Sequence, residues 1–491
     1  MKKEVFFNFI FTVIVSVLGF VQNKYFVQYM GIETLGMMKL FSQLLAYLNI
    51  IELGLGSATA YALYKPLADK DHKNISIVMS TIENIYNKIA ILLFILGIFC
   101  IPVIPFFLNG ANFYNNIYLY WMLYIINTVI TYFFIKYVIL FTADQKILYV
   151  KAVQSISMTV FKLLQIFLII KYHSFFIFII LLILDNIAQW FCFRKYYKNN
   201  YFYIKKTKER FSGIKNDIKN LFWHKMGGLI VFNTDLILIS KFTSLETVGI
   251  YASYQMILQV LSTVENVFVS IISPKIGNFI AKNSKDKIYE YFRVFDILFC
   301  FIATFFVGCT YFFINNFVNL WLGEGMLLDN LTIKLMCINL WIIIFRRNID
   351  IFKEGSGFFS DIKSPLYESG INLIVSLICG KYFGLNGIIV GTIASNFIVI
   401  SLYRPILVFK ECFNKSWKDY LQNLMINSIL IISSFIILNY IIIKFNYINL
   451  TISSWFMWLI YSIKISILLL GSMMLIFSIN NNFRKIFKIK L

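Results

Sequence analysis

The sequence predicts an all-α polytopic membrane protein of about 14 transmembrane helices. They are expected to form two parallel six-helix lobes around a central cavity, with two more helices at the C-terminus. Three observations carry this. The 491 residues are 59% hydrophobic and only 14% charged, whereas a soluble chain needs roughly 25% charge to solvate its surface. Apolar runs long enough to cross the hydrocarbon recur from end to end. Finally, Ile32-Glu33-Thr34-Leu35-Gly36 returns as Leu245-Glu246-Thr247-Val248-Gly249, and the same offset carries Glu52 onto Glu265. An internal repeat of this size in a membrane chain marks two related lobes.

Taken in order, the first span (5–30) follows Met1-Lys2-Lys3-Glu4 and reads as a signal anchor, since no small-residue cleavage site follows it. The repeated pentapeptide then reads as a short loop before the second span (39–64). In that span Glu52 precedes Gly54, Gly56, Ser57 and Ala58, small residues that permit close backbone approach or unwinding. The third span (85–108) carries Pro102 and Pro105, which kink its end. Apolar runs at 114–141, 148–170 and 175–193 complete the first lobe. The second lobe begins at 221–240 and continues through 250–272, 294–315, 331–351, 365–382 and 387–408, with Pro274, Pro365 and Pro405 at span ends. Spans 424–443 and 452–479 fall outside the repeat.

Charge fixes the expected sidedness. Of the 45 lysines and arginines, about 33 fall in alternate loops, about 4 in the intervening ones and about 8 within spans, so the cation-rich side is expected to face the cytoplasm. Both termini then lie inside. The densest stretch, 194–220, reads as a basic linker between the lobe 1–193 and the lobe 221–410, and 411–491 holds the two extra helices and a basic tail. Because the cations lie in short loops rather than on a soluble face, the net charge of +21 does not indicate nucleic acid. No loop holds a phosphate-binding glycine motif. The seven cysteines include no CxxC pair and the three histidines are far apart, so neither metal nor disulfide is expected.

An ionisable group in a span costs at least ~2.5 kcal/mol and therefore faces a cavity or a partner. Gln22, Asn23 and Lys24 form a polar run in the first helix. Asp235 follows Asn233 and Thr234 in the seventh, at the depth of Gln22 under the repeat. Glu52 and Glu265 sit near the middle of their helices, where a carboxylate–lysine pair is the structural alternative. Lys162 and Asp185 lie in the fifth and sixth spans. Lys88, Lys136, Lys225 and Lys464 are near enough to span ends to reach the headgroups through their alkyl stems. Arg346 and Arg347 read either as anchors on the cation-rich side or as cavity residues.

Several stretches resemble bacterial polysaccharide flippases of the Wzx type. These are Gly31 to Gly36 with Glu52 to Ser57, Trp223-His-Lys-Met-Gly-Gly228 leading to Asp235, and Val248-Gly-Ile-Tyr-Ala252. Further along come Leu320-Trp-Leu-Gly323, Gly355 to Gly357 with Pro365, Asn372 to Ser376 and Gly387 to Thr392. The resemblance covers residues 1 to about 410 and places the chain in the multidrug/oligosaccharidyl-lipid/polysaccharide exporter superfamily. It implies a transporter rather than an enzyme, one that moves an undecaprenyl-diphosphate-linked oligosaccharide (O-antigen or capsule type) to the outer leaflet by alternating access. It also implies membrane lipids and a polysaccharide polymerase complex as partners, and no cofactor beyond a coupling ion, H⁺ or Na⁺. In relatives, cations in helices 1, 2 and 8 line the cavity, whereas here helix 1 offers Lys24 and helices 2 and 8 carry Glu52 and Glu265. The substrate side is therefore assigned to Gln22, Asn23, Lys24, Lys225, Arg346 and Arg347, and ion coupling to Asp235, Glu52 and Glu265. The alternatives are a cation-coupled drug or metabolite antiporter of the same superfamily and a membrane polysaccharide polymerase.

Overall fold

A computed structural model describes residues 2–52, 55–108, 116–211, 234–358, 361, 363–444 and 452–486. Among them there are helices and turns and no strand. In lipid only structures that satisfy their own backbone groups can span, and helices do so within one segment. Nine of the described helical segments are long and apolar enough to cross a membrane. The chain sorts into two compact units, Met1–Gly249 and Ile250–Leu491.

The first unit opens with α1 (Lys2–Met30), which ends at Gly31 in a left-handed backbone conformation (φ 83°). Helix α2 (Ile32–Leu48) starts directly after it, so the repeated pentapeptide is helical rather than a loop. The expected second span is interrupted: α2 gives way to a 3₁₀ turn at Asn49–Glu52 and α3 follows at Leu55–Ala68. Helix α4 (His72–Phe99) is capped by Asp71, which accepts the N–H of Asn74 at 3.0 Å. That bond and a second from the Asn74 side-chain amide hold the Asp71 carboxyl below its usual range. Helix α4 stops short of the prolines, and Ile101–Phe107 winds as a 3₁₀ helix containing Pro102 and Pro105. Helices α5 (Ile117–Ala143), α6 (Ile147–Tyr172), α7 (Phe175–Asn200) and the short α8 (Asp235–Phe242) complete the unit, together with the first turn of α9 (Leu245–Lys282).

Within this unit α1 lies on α6, and α5 is flanked by α4 and α7. Gly97 lets Ile125 approach so closely that an added Cβ would lie 2.6 Å from it, and the Gly97 carbonyl accepts Trp121 Nε1 at 2.8 Å. Such small-residue contacts supply the van der Waals packing that holds helices together where water provides no drive. The basic stretch after α7 is tied to α4. Backbone N–H groups of Lys205, Thr207 and Phe211 donate to the hydroxyls of Ser76, Ser80 and Thr81 at 3.0–3.1 Å.

The two copies of the repeat meet inside this unit. A Cβ on Gly36 would lie 1.9 Å from the carbonyl oxygen of Leu245, and one on Gly249 would lie 2.3 Å from that of Ile32. The contact is reciprocal: the last residue of each pentapeptide touches the first of the other, as a two-fold arrangement requires. Glycine is needed at both positions because backbone meets backbone.

The second unit contains the rest of α9, which runs through Pro274, then α10 (Lys285–Leu322), α11 (Asn330–Phe345) and α12 (Arg347–Gly355). Helical residues Ser364–Ser395 turn back at Gly384 (φ 57°, ψ −131°). We label this hairpin α13. Its arms pack so tightly that a Cβ on Gly387 would lie 2.0 Å from the Cys379 carbonyl oxygen. A π-helical stretch, Asn396–Tyr403, leads into α14 (Arg404–Phe413). Helices α15 (Trp417–Lys444) and α16 (Trp455–Phe477) pack on each other and on α10, where Leu469 fills the gap over Gly308. The short α17 (Asn481–Ile486) closes the described chain.

The repeat contact yields a direct test. We expect Gly36→Ala to lower stability by about 1–3 kcal/mol through overpacking. Gly56→Ala, whose Cβ meets nothing nearer than 3.7 Å, should be neutral or gain up to ~1 kcal/mol from helix propensity. Thermal unfolding of the purified variants reads both, and equal midpoints for Gly36→Ala and wild type would refute the close approach.

Candidate functional site

The polar run of α1 meets α6 and α7 inside the first unit. Gln22 Nε2 donates to Gln165 Oε1, and Gln165 Nε2 to the Phe178 carbonyl at 3.2 Å. Asn23 is buried. Two turns along α1, the Val15 carbonyl accepts Lys162 Nζ of α6 at 3.4 Å. Asp185 of α7 accepts the Ser157 hydroxyl and, at 3.0 Å, Gln189 Nε2. Lys162 feels the charges of both Lys39 and Asp185. The result is a seam of amides, hydroxyls and charges running through helices whose other faces are apolar.

The seam is unbalanced. Lys39 and Lys162 are half-buried, as is Lys24 farther round α1, and Asp185 is the carboxylate among the described residues that acts on Lys162. Neither Lys24 nor Lys39 makes an ion pair or hydrogen bond among the described residues. Two like charges 4–8 Å apart in protein repel by roughly 2–4 kcal/mol at an effective dielectric near 20. A bound anion removes that cost, and a diphosphate has the charge to answer two or three ammonium groups.

Lys39 was not among the sequence candidates, because the expected second span began at that residue. The structure starts α2 seven residues earlier, so Lys39 lies two turns inside the helix and supplies a cation there. Gly31 and the acidic Glu33 in the first turn are the helix-start signals that would have placed it.

The other candidates are distributed as follows. Asp235 begins α8, and Thr234 before it shares a hydrogen bond with Tyr47 of α2. Lys225 lies outside the described residues, as does Asn233. Lys136 pairs with Glu83 at 2.9 Å. Glu52 accepts the Tyr86 hydroxyl at 3.3 Å. In the second unit the structure joins two candidates given separate roles: Arg347 Nε donates to Glu265 Oε1 at 3.2 Å, and Arg347 Nη2 to Asn266 at 2.8 Å. Arg346 lies 3.6 Å from Asp350 one turn on.

Near that pair is a buried network that sequence reasoning missed. Arg404 Nη1 reaches Asp350 at 3.1 Å, and Arg404 Nε lies 3.4 Å from Asp361, which also holds Lys353 at 2.7 Å. Glu368 is 3.9 Å from Arg404. These residues come from α12, α13, α14 and the loop between α12 and α13, and nothing in local sequence pairs them. On α10, Asp296 accepts amides from Asn348 at 3.2 Å and Asn427 at 2.8 Å, which ties α12 and the added helix α15 to the unit.

This is the architecture of membrane transporters. The structure is similar to the lipid II flippase MurJ in an inward closed conformation, with a TM-score of 0.68 and 17% identity over 98% of each chain. It is also similar to an inward-facing MATE family multidrug resistance transporter of the MOP superfamily, with a TM-score of 0.59 and 12% identity over 80% of this chain and 94% of that one. No curated protein sequence matches. A profile of the family described as polysaccharide biosynthesis protein matches residues 1–279, and the chain belongs to that family.

The Glu265–Arg347 pair can be tested without a substrate. Arg347→Ala strands a carboxylate that is 3% exposed, and breaking such a pair costs about 3–5 kcal/mol. Adding Glu265→Gln should restore most of the loss. If Arg347→Ala unfolds at the wild-type temperature, the pair does not hold α9 to α12.

Proposed function

We propose that this protein flips an undecaprenyl-diphosphate-linked oligosaccharide from the cytoplasmic to the outer leaflet of the bacterial cytoplasmic membrane by alternating access. It would act in O-antigen or capsule-type polysaccharide biosynthesis, upstream of a polymerase, with both termini in the cytoplasm. The observation that carries this reading is the excess of lysines in the seam of the first unit. A diphosphate cannot cross ~30 Å of hydrocarbon unaided, and Lys24, Lys39 and Lys162 offer charge compensation along the way. Gln22 and Asn23, beside Lys24, would exchange their present partners for sugar hydroxyls as the cavity fills. The family and the fold shared with a lipid flippase support the same conclusion. The prenyl chain needs no protein site, because it stays in lipid throughout. An H⁺ or Na⁺ gradient would drive the cycle, with Asp235, Glu52 and Glu265 as the carboxylates able to take part.

Leaflet-resolved labelling of the lipid-linked glycan in cells tests this. Cells without the protein should hold the glycan on the inner leaflet. Lys24→Ala or Lys39→Ala should cut outer-leaflet glycan by about 10–100-fold, the equivalent of one charged hydrogen bond, with the protein still in the membrane. Lys24→Arg should keep part of the activity. Outer-leaflet glycan that is unchanged without the protein would refute the function, and normal export by both alanine variants would remove the lysines from the site.

A further inference from the structure

Helix α16 lies outside the repeat and has two unlike faces. Ile465, Leu469, Ser472, Met473 and Phe477 are buried, with Leu469 over Gly308 of α10. On the opposite side Ile460, Lys464, Ile467, Gly471 and Leu475 recur at spacings of three and four residues, and all are exposed. They form one stripe along the helix, aliphatic except for the lysine and the glycine.

Lys464 lies about 14 Å along a helix about 35 Å long, deeper than its sequence position implied. An extended lysine stem carries the ammonium back by about 6 Å, or four residues. That brings it to the level of Ile460, short of Trp455 and Trp458, which pack on Phe317 with ring centroids 5.3 and 5.4 Å away. Tryptophans at the end of a span mark the edge of the hydrocarbon. Lys464 makes no ion pair or hydrogen bond among the described residues, whereas Lys136, Lys353 and Arg347 are all paired. A charge in a span is costly unless a partner answers it. For Lys464 the answer has to come from outside the described chain.

Gly471 supplies the shape. A glycine inside a helix is destabilising relative to alanine. At Gly308, Gly355, Gly387 and Gly391 that cost goes with a close approach by another part of the chain. At Gly471 it does not, since a Cβ there would meet nothing within 4 Å. The missing side chain leaves a notch in the stripe, two turns from Lys464, where the backbone of a second helix can come close.

We propose that this stripe of α16 docks a transmembrane helix of another protein, one that carries an aspartate or glutamate opposite Lys464. Charge complementarity selects the carboxylate, and the notch at Gly471 selects a helix. A second copy of this chain is a poor occupant, because a two-fold contact through the stripe brings two Lys464 ammonium groups to one interface. Docking on α16 is independent of the exporter reading.

Photo-crosslinking tests this in membranes of the cells that make the protein, using the full-length chain with Ile467→p-benzoylphenylalanine. The expected product is an adduct with a membrane protein whose crosslinked segment has a carboxylate within one helical turn. Lys464→Glu should lower the yield by about tenfold, and Lys464→Arg should keep it. Changing the partner's carboxylate to lysine should restore the yield in Lys464→Glu. Gly471→Leu should lower it with Lys464 intact. If Lys464→Glu does not reach the membrane, Lys464→Met, which removes the charge and suits lipid, should show the same loss. Adducts with lipid alone would overturn the proposal and leave Lys464 reaching for the headgroups. Adducts with a second copy of this chain would overturn it too, as would a protein adduct formed equally well without the lysine. Export of glycan is not read, so failure here leaves the exporter reading standing.

Discussion

A charge inside hydrocarbon must be answered by another group, and that constraint governs where side chains meet in this protein. Glu265 is answered by Arg347, Lys136 by Glu83, and Asp361 by Lys353 and Arg404. Asp296 and Asp185 are answered by amides and a hydroxyl. Most of these links join two helices, so neutralising a charge and fixing a helix contact are often the same event. The lysine seam of the first unit is where the rule is left incomplete. Lys24 and Lys39 have no answering group among the described residues, and the proposed export assigns them to the diphosphate.

The repeat shows how one ancestral plan is used twice. Its pentapeptides keep their glycines because the two copies touch through backbone, a demand that any other residue would violate. Its glutamates keep their carboxyls but not their partners. Arg347 donates to Glu265, and the Tyr86 hydroxyl donates to Glu52.

The helical membrane fold was legible because apolar run length and charge content are properties of local sequence. The family was legible too, from short glycine-rich stretches in order along the chain. Positions that depend on where a helix begins were less so. The second span was expected to start at Lys39, where the hydrophobic run becomes continuous, yet α2 starts at Ile32 because Gly31 supplies the break. That shift moved Lys39 from the edge of a span to two turns inside a helix. The small residues after Glu52 did signal unwinding, and the 3₁₀ turn lies beside them. Partners were not legible. Glu265 meets Arg347, 82 positions away, and Asp350 meets Arg404, 54 positions away, and no periodicity in the sequence encodes either meeting. Lysine was the expected structural partner for a buried glutamate, but Glu265 took an arginine.

Export as proposed requires the lysine seam to take a diphosphate. The most direct measurement is the affinity of the purified protein in nanodiscs for polyprenyl diphosphate, polyprenyl monophosphate and polyprenol of the same chain length, followed by native mass spectrometry. Affinity should fall in that order, and Lys39→Met should weaken diphosphate binding by about 10–100-fold while leaving polyprenol unaffected. Equal affinity of the wild-type protein for polyprenol and polyprenyl diphosphate would contradict the account.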